Sequence, residues 1–415
     1  MRFPVAFWLG IAAVIGLPTG CTRNVNEEQP VPVVVPAEEM TEIRALWVTR
    51  WDYTKPDDID RIFQNAADCN FNVVLFQVRG NATTFYPSRL EPWAWELTGK
   101  DGNSTGRDPG WDPLHRAVEQ AHARGLEIHA YVNVFPAWKG IKPPPEEVPQ
   151  LWNTHRQWFM VNEQGERMWP QGKWSEWYTF LEPALPAVRT YLLRVFVELA
   201  EEYDIDGIHY DYIRYPGEVG DWSHHSESRR MFAEAHSEAT PQSAPEAWDE
   251  WRRDAVSSLV RANHTALSVV RPELRFSAAC LGDAERAFSR YFQDGAGWLS
   301  KGWLDIAFCM DYTTDNEEFQ RRLGTYLAGR ERGTVAAGIA AHRNTAENIN
   351  AQIELSRSMG ADGVALFAYS SFFPEHNPGE KATSLVTGPF QCPARPPWEE
   401  TAFPQAIPPN PRRGG

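Results

Sequence analysis

Between about Arg44 and Ser370 the chain alternates short apolar runs with longer stretches in which apolar residues recur every three or four positions. The runs read as strands beginning near Arg44, Phe71, Leu126, Ile205, Leu274, Leu304, Thr334 and Asp362. The stretches between them read as amphipathic helices. After Asp57, Ile59, Ile62, Phe63 and Ala66 share one face. Asp112 caps a helix opened by Pro113, with Leu114, Ala117, Val118 and Ala121 along its stripe and Gly125 at its end. Pro186 opens another, carrying Val188, Tyr191, Leu192, Val195, Phe196 and Leu199. Further helices fit 247–270, 316–331 and 345–359. Such alternation requires a parallel sheet, and eight units predict closure into a single (β/α)8 TIM barrel of the α/β class. No Gly-x-Gly-x-x-Gly follows the first strand, which weighs against an open dinucleotide-binding sheet.

Strand spacing locates the functional end. Most intervals are close to a minimal unit of roughly 30 residues, but those after strands two, three and four are longer. The extra sequence, 80–111, 136–185 and 213–246, precedes the helix each time, so it belongs to βα loops on the C-terminal face, where barrel enzymes keep their active sites. Trp93, Trp95, Trp111, Trp138, Trp152, Trp158, Trp169, Trp174 and Trp177 lie in or beside the first two insertions, half of the 18 in the chain. The tryptophan excess is therefore expected at the mouth of the barrel, gripping a flat, apolar-faced ligand.

Residue parity along a strand separates the two faces. On strand three Ile128, Ala130, Val132 and Val134 suit the helix layer, which turns His129, Tyr131 and Asn133 inward. On strand four His209 and Asp211 point inward, Asp211 nearer the C-terminal tip. The same logic gives Gln77 and Arg79 on strand two, Asp311 after the small Ala307 and Cys309 on strand six, and Tyr369 on strand eight. A buried polar group costs free energy unless paired, so several converging at one end mark a candidate site. His129, His209 and Gln77 taken singly also suit satisfied core positions. Asp211, at the tip of a central strand before Tyr212-Ile213-Arg214-Tyr215-Pro216, reads as catalytic rather than as a structural partner of Arg79 or Arg214.

The ends differ from the middle. Arg2, the apolar run 3–17 and Pro18-Thr19-Gly20-Cys21 have the order of an export signal ending in a lipobox-like cysteine, which predicts a signal over 1–21 and a lipid anchor on Cys21. Residues 22–41, rich in Pro and Val, read as a tether, 42–392 as the barrel and 393–415 as a Pro-rich tail. The expected location is thus the periplasm or cell envelope. The remaining cysteines, at 69, 280, 309 and 392, have no paired metal-type spacing, and Cys280 and Cys309 fall within strands as small core residues. A net charge of -15 lacks the basic excess that nucleic-acid binding requires.

The stretch FQVRGNATTFYPSRLEPWAWELTG, followed by PGWDPLHRAVEQAHARGLEIHAYVN and DIDGIHYDYIRYP, resembles the glycosyl hydrolase-like family 10 domain of bacterial envelope lipoproteins, over about 42–370. The resemblance implies a (β/α)8 fold and cleavage of glycosidic bonds in polysaccharide, with peptidoglycan glycan strands stripped of peptide as the substrate of characterised members. It places Gln77, Arg79, Tyr86, Trp93, His129 and Asn133 in the cleft and matches Asp211 to the strand-four aspartate. Many relatives carry Asp-Asp at the end of strand four, where this chain has Asp211-Tyr212. On strand six the usual amide before Tyr is replaced by Met310-Asp311-Tyr312.

Glycoside hydrolysis needs two carboxyl groups across the scissile bond. Asp211 is expected to be nucleophile or base, oriented by Arg79 and His209. Asp311 is the leading candidate for the acid, with Asp283 in reserve, and Tyr212 and Tyr369 join the substrate-binding set. No cofactor or metal is expected. Two other readings stand beside this one: a glycan-binding lipoprotein without turnover, and a metal-dependent hydrolase using His129, His209, Asp211 and Asp311. No His-x-His opens the barrel to favour the latter.

Overall fold

A computed structural model describes residues 40–169, 177–217, 219–328 and 330–399. The expected signal, Cys21 and most of the tether lie outside them, as do Trp174 and the tail beyond 399. Eight parallel strands close into a barrel in sequence order: β1 (Ile43–Val48), β2 (Val73–Arg79), β3 (Glu127–Asn133), β4 (Gly207–Asp211), β5 (Arg275–Leu281), β6 (Ile306–Met310), β7 (Thr334–Ala340) and β8 (Gly363–Phe367). Their near-continuous apolar character follows from burial on both faces. Inside, Ile43, Ala45, Trp47, Val73, Leu75, Tyr131, Ile306, Phe308, Ala336 and Ala365 fill the barrel. Outside, alternate residues such as Val74, Ile128, Ile208 and Ala307 meet the helices.

The helices begin where their caps predict. Asp112 accepts from the His115 N–H and Pro113 opens Pro113–His122, while Pro186 opens Pro186–Glu202. Ile59, Ile62, Phe63 and Ala66 of Pro56–Asp68 are wholly buried, and removing a ring such as Phe63 would cost about 3–5 kcal/mol. The long connections after β2, β3 and β4 sit on the C-terminal face. The second is braced by an antiparallel pair, Pro136–Lys139 with Tyr178–Phe180, and the third carries the helix Ser226–Ala235. At the opposite end Met40–Thr41 pairs with Ala394–Arg395, and Trp398 donates to Glu127. The folded body therefore extends on both sides of the expected bounds of 42 and 392.

Candidate active site

A cleft of about 690 Å³ opens at the C-terminal ends of the strands, and Asp211 lies in it. The last residue of β4, it is only 7% exposed, and three donors converge on its carboxylate. Tyr131 Oη donates to Oδ2 at 2.9 Å, while the Tyr212 N–H and Arg214 Nη1 donate to Oδ1 at 2.6 and 3.0 Å. Burial, then the charge of Asp211, pushes the Tyr131 phenol far above its usual range, so it remains a donor. Tyr212 has φ of 49°, a left-handed conformation that costs a bulky residue about 1–2 kcal/mol. That turn aims its N–H at Asp211 and brings its ring beside Trp177 and Tyr178, which line the same cleft.

Parity holds on β3 and β4 but places the two histidines below the cleft floor. His209 accepts from Trp47 Nε1–H at 3.0 Å through Nε2 and meets Ser277 Oγ at 3.0 Å through Nδ1. Burial, with His129 adding, holds its pKa well below the imidazole range, and the ring is neutral. His129 is buried one layer deeper, packed where a β-carbon on Gly207 would come within 2.7 Å of its ring. Both are core groups, and neither lines the cleft. Gln77 does line it, accepting the Arg50 N–H at 2.9 Å.

Several expectations fail for identifiable reasons. Arg79 does not orient Asp211. The register of β2 against β3 shifts between Gln77 and Arg79, and this irregularity turns the guanidinium toward the first insertion. There it binds Glu91 through two 2.7 Å bonds and donates to the carbonyls of Asn133 and Val134. Tyr131 and Arg214 take over the orienting role. Asn133 is buried beneath this post, outside the cleft lining. Tyr86 is buried against Tyr203, and Trp93 lines a separate groove of about 450 Å³ with Ser88–Pro92 and Val148. After Phe367 the chain turns into Tyr369–Ser371, so the Tyr369 ring stacks on Phe373 and its hydroxyl meets Asn65 and His376. Phe367 lines the cleft in its place.

Asp311 is the largest correction. On β6 it is Ile306 and Phe308 that fill the barrel, while Ala307 and Cys309 face the helices, so Asp311 points outward. It is 0% exposed, and its nearest cation is Arg322 at 3.4 Å. Burial outweighs Arg322 and lifts its pKa to about 7. Met310, Tyr312 and Arg322 line the cleft, but Asp311 does not. Asp283, the reserve, is a lining residue. Its Oδ1 caps Ala284–Arg290 at the Arg286 N–H and its Oδ2 pairs with Arg321 at 3.2 Å; these bonds, the backbone one foremost, hold it below the usual carboxylate range. Among the described residues no group of three or more His, Cys, Asp or Glu is placed to hold a metal.

The tryptophans are also redistributed. Of the nine in the insertions, Trp177 lines the cleft; Trp138 and Trp152 are buried, Trp169 packs on Trp152, and Trp158 on Tyr191. They serve mainly as the insertions' own core. The cleft takes Trp47 and Trp51 from β1 and the turn after it. Trp51 is 53% exposed, with Arg50 at 4.8 Å from its ring and Trp95 edge-on at 5.7 Å. Parity along β1 would have turned Trp47 inward from sequence. Arg50 and Arg343 sit in turns and Arg286 in the short helix Ala284–Arg290, and none carried a comparable signal.

Comparison with known proteins places the chain beside glycosyl hydrolases in sequence and in fold. The chain is 25% identical over 308 residues to Glycosyl hydrolase YngK of Bacillus subtilis (strain 168), covering 66% of this chain and 55% of that protein. It is 25% identical over 258 residues to Glycosyl hydrolase DigH of Escherichia coli (strain K12), covering 56% and 53%. The chain thus spans about half the length of these relatives. Two solved structures share the fold. The PgaB (BpsB) glycoside hydrolase domain from Bordetella bronchiseptica has a TM-score of 0.55 at 15% identity, covering 81% of this chain and 97% of that one. The catalytic domain of β-amylase from Paenibacillus polymyxa has 0.57 at 10% identity, covering 85% and 99%. The model of the family described as Glycosyl hydrolase-like 10 matches residues 42–327, well over half of the sequence, and the chain belongs to that family.

Proposed function

We propose that this protein is an exported glycoside hydrolase that cleaves a cell-envelope polysaccharide, with peptide-stripped peptidoglycan glycan strands as its substrate, held at the membrane by a lipid on Cys21. The observation that carries the reading is the Asp211 carboxylate, oriented by Tyr131, Tyr212 and Arg214 within an aromatic-lined cleft. In this reading Asp211 acts as nucleophile or base at the anomeric centre, and Trp51, Trp177 and Tyr212 stack on sugar faces. Neutral His209 supports Tyr131 and Trp47 from beneath. Replacing Cys21 with Ala should release the protein from the membrane fraction.

A second reading, glycan binding without turnover, is favoured by one observation. Asp283, the other carboxylate lining the cleft, is capped and ion-paired, an arrangement that suits a base better than a proton donor. Purified glycan strands separate the two. Hydrolysis predicts products released by the wild type and none by Asp211→Asn, which still binds. Binding by the wild type with no product at any pH would select the second reading.

A further inference from the structure

Five arginines line the cleft, and they differ in how they are paired. On the side of Trp51, Trp177, Tyr178 and Tyr212, Arg50 is bound to Glu96 at 2.9 Å and Arg214 to Asp211 at 3.0 Å; the connections after β5, β6 and β7 contribute Arg286, Arg322 and Arg343. Arg322 is already paired with the Glu318 carboxylate at 2.6 Å and touches Asp311 at 3.4 Å. Arg286 and Arg343 are not. Arg286 donates to Tyr291 Oη at 3.3 Å and Arg343 to the Tyr312 carbonyl at 3.3 Å, both uncharged acceptors. No carboxylate of the described residues pairs with either. The two acidic residues lining the cleft are taken by Arg214 and Arg321.

Two arginines without acidic partners facing one concave site are unusual in a chain whose net charge is -15, where acidic partners are plentiful. An anion in the cleft would meet two cations that have no acidic partner, and a planar guanidinium matches a carboxylate through paired N–H donors. We propose that Arg286 and Arg343 form an anion-reading subsite, so that the sugar bound beside Asp211 carries a carboxylate. This inference rests on the glycan reading of the cleft and adds the feature of the glycan that the cleft selects.

The test is binding by calorimetry, which needs no turnover. Peptide-stripped peptidoglycan strands, with a carboxylate on alternate sugars, are compared with the same strands after chemical reduction of those carboxylates to alcohols. The wild type should bind the carboxylated strands at least about tenfold more tightly, with the preference shrinking as salt rises. In the double variant Arg286→Gln/Arg343→Gln, checked for folding by its thermal melt, the ratio should fall toward one. Equal binding of the two strands by wild type overturns the proposal, as does a preference retained in the folded double variant. Binding of neither strand would remove the glycan reading and this inference together. A carboxylate preference without product would retain the subsite and reject only hydrolysis.

Discussion

The ends of β4 and β6 each carry an aspartate just where a barrel enzyme would place a catalytic carboxyl group, yet the two have opposite surroundings. Asp211 opens onto the cleft and meets three donors. Asp311 is sealed between β6 and the helix Asn316–Ala328, with Oδ2 lacking a hydrogen-bond partner among the described residues. One step of parity separates these fates. A catalytic carboxylate needs donors that hold its orientation and an open side for substrate, whereas a sealed one gains stability mostly by staying protonated.

The largest expected effect tests that contrast directly. Asp211→Asn should lower product release from glycan strands by about a thousandfold or more, while Asp311→Asn leaves it near wild type. Equal losses in the two variants would dissolve the distinction. Next, Tyr131→Phe removes one charge-assisted bond to Asp211 and should reduce kcat by about 10- to 100-fold with little change in binding, measured by the split between kcat and KM. A loss confined to KM would make Tyr131 a binding group instead.

Asp311 makes its own prediction through pH. Its pKa is about 7 in the folded protein and about 4 unfolded, so the folded state retains the proton longer. Its stabilising contribution is full below about pH 4, declines as pH rises toward 7 and is lost above it. Asp311→Asn should therefore flatten the fall in Tm across that window, an effect of up to a few kcal/mol in thermal melts. An unchanged slope would mean that the carboxyl is better compensated than its surroundings indicate. The smallest effect belongs to the cleft rim: Trp51→Ala should weaken glycan binding by about five- to tenfold, because its exposed ring contributes stacking alone.

How far the site could be read in advance varied strand by strand. On β3 and β4, polar His129, Tyr131, His209 and Asp211 alternate with Ile128, Ala130, Ile208 and Tyr210 on the helix face, and the period of two shows through. On β6 both faces are buried, so Ile306, Ala307, Phe308 and Cys309 form a continuous apolar run in which neither parity is marked. The smaller residues there face the helices rather than the barrel interior. Arg79 was misplaced for another reason: a register shift resets parity, and nothing in FQVRG announces it. The tryptophan clustering was visible, but most of those rings pack the insertions that contain them, since a long connection needs a core of its own.

The (β/α)8 architecture, the starts of the capped helices, the place of Asp211 at the C-terminal end of β4 and the family resemblance were all legible along the chain, because they depend on local periodicity, caps and contiguous motifs. It took the folded chain to show that Tyr131 and Arg214 rather than Arg79 orient Asp211, that Asp311 is sealed from the cleft, and that arginines from three separate βα connections line one cleft. Those facts depend on which distant segments meet when the barrel closes, and on register shifts of a single residue that leave the hydrophobic pattern unchanged.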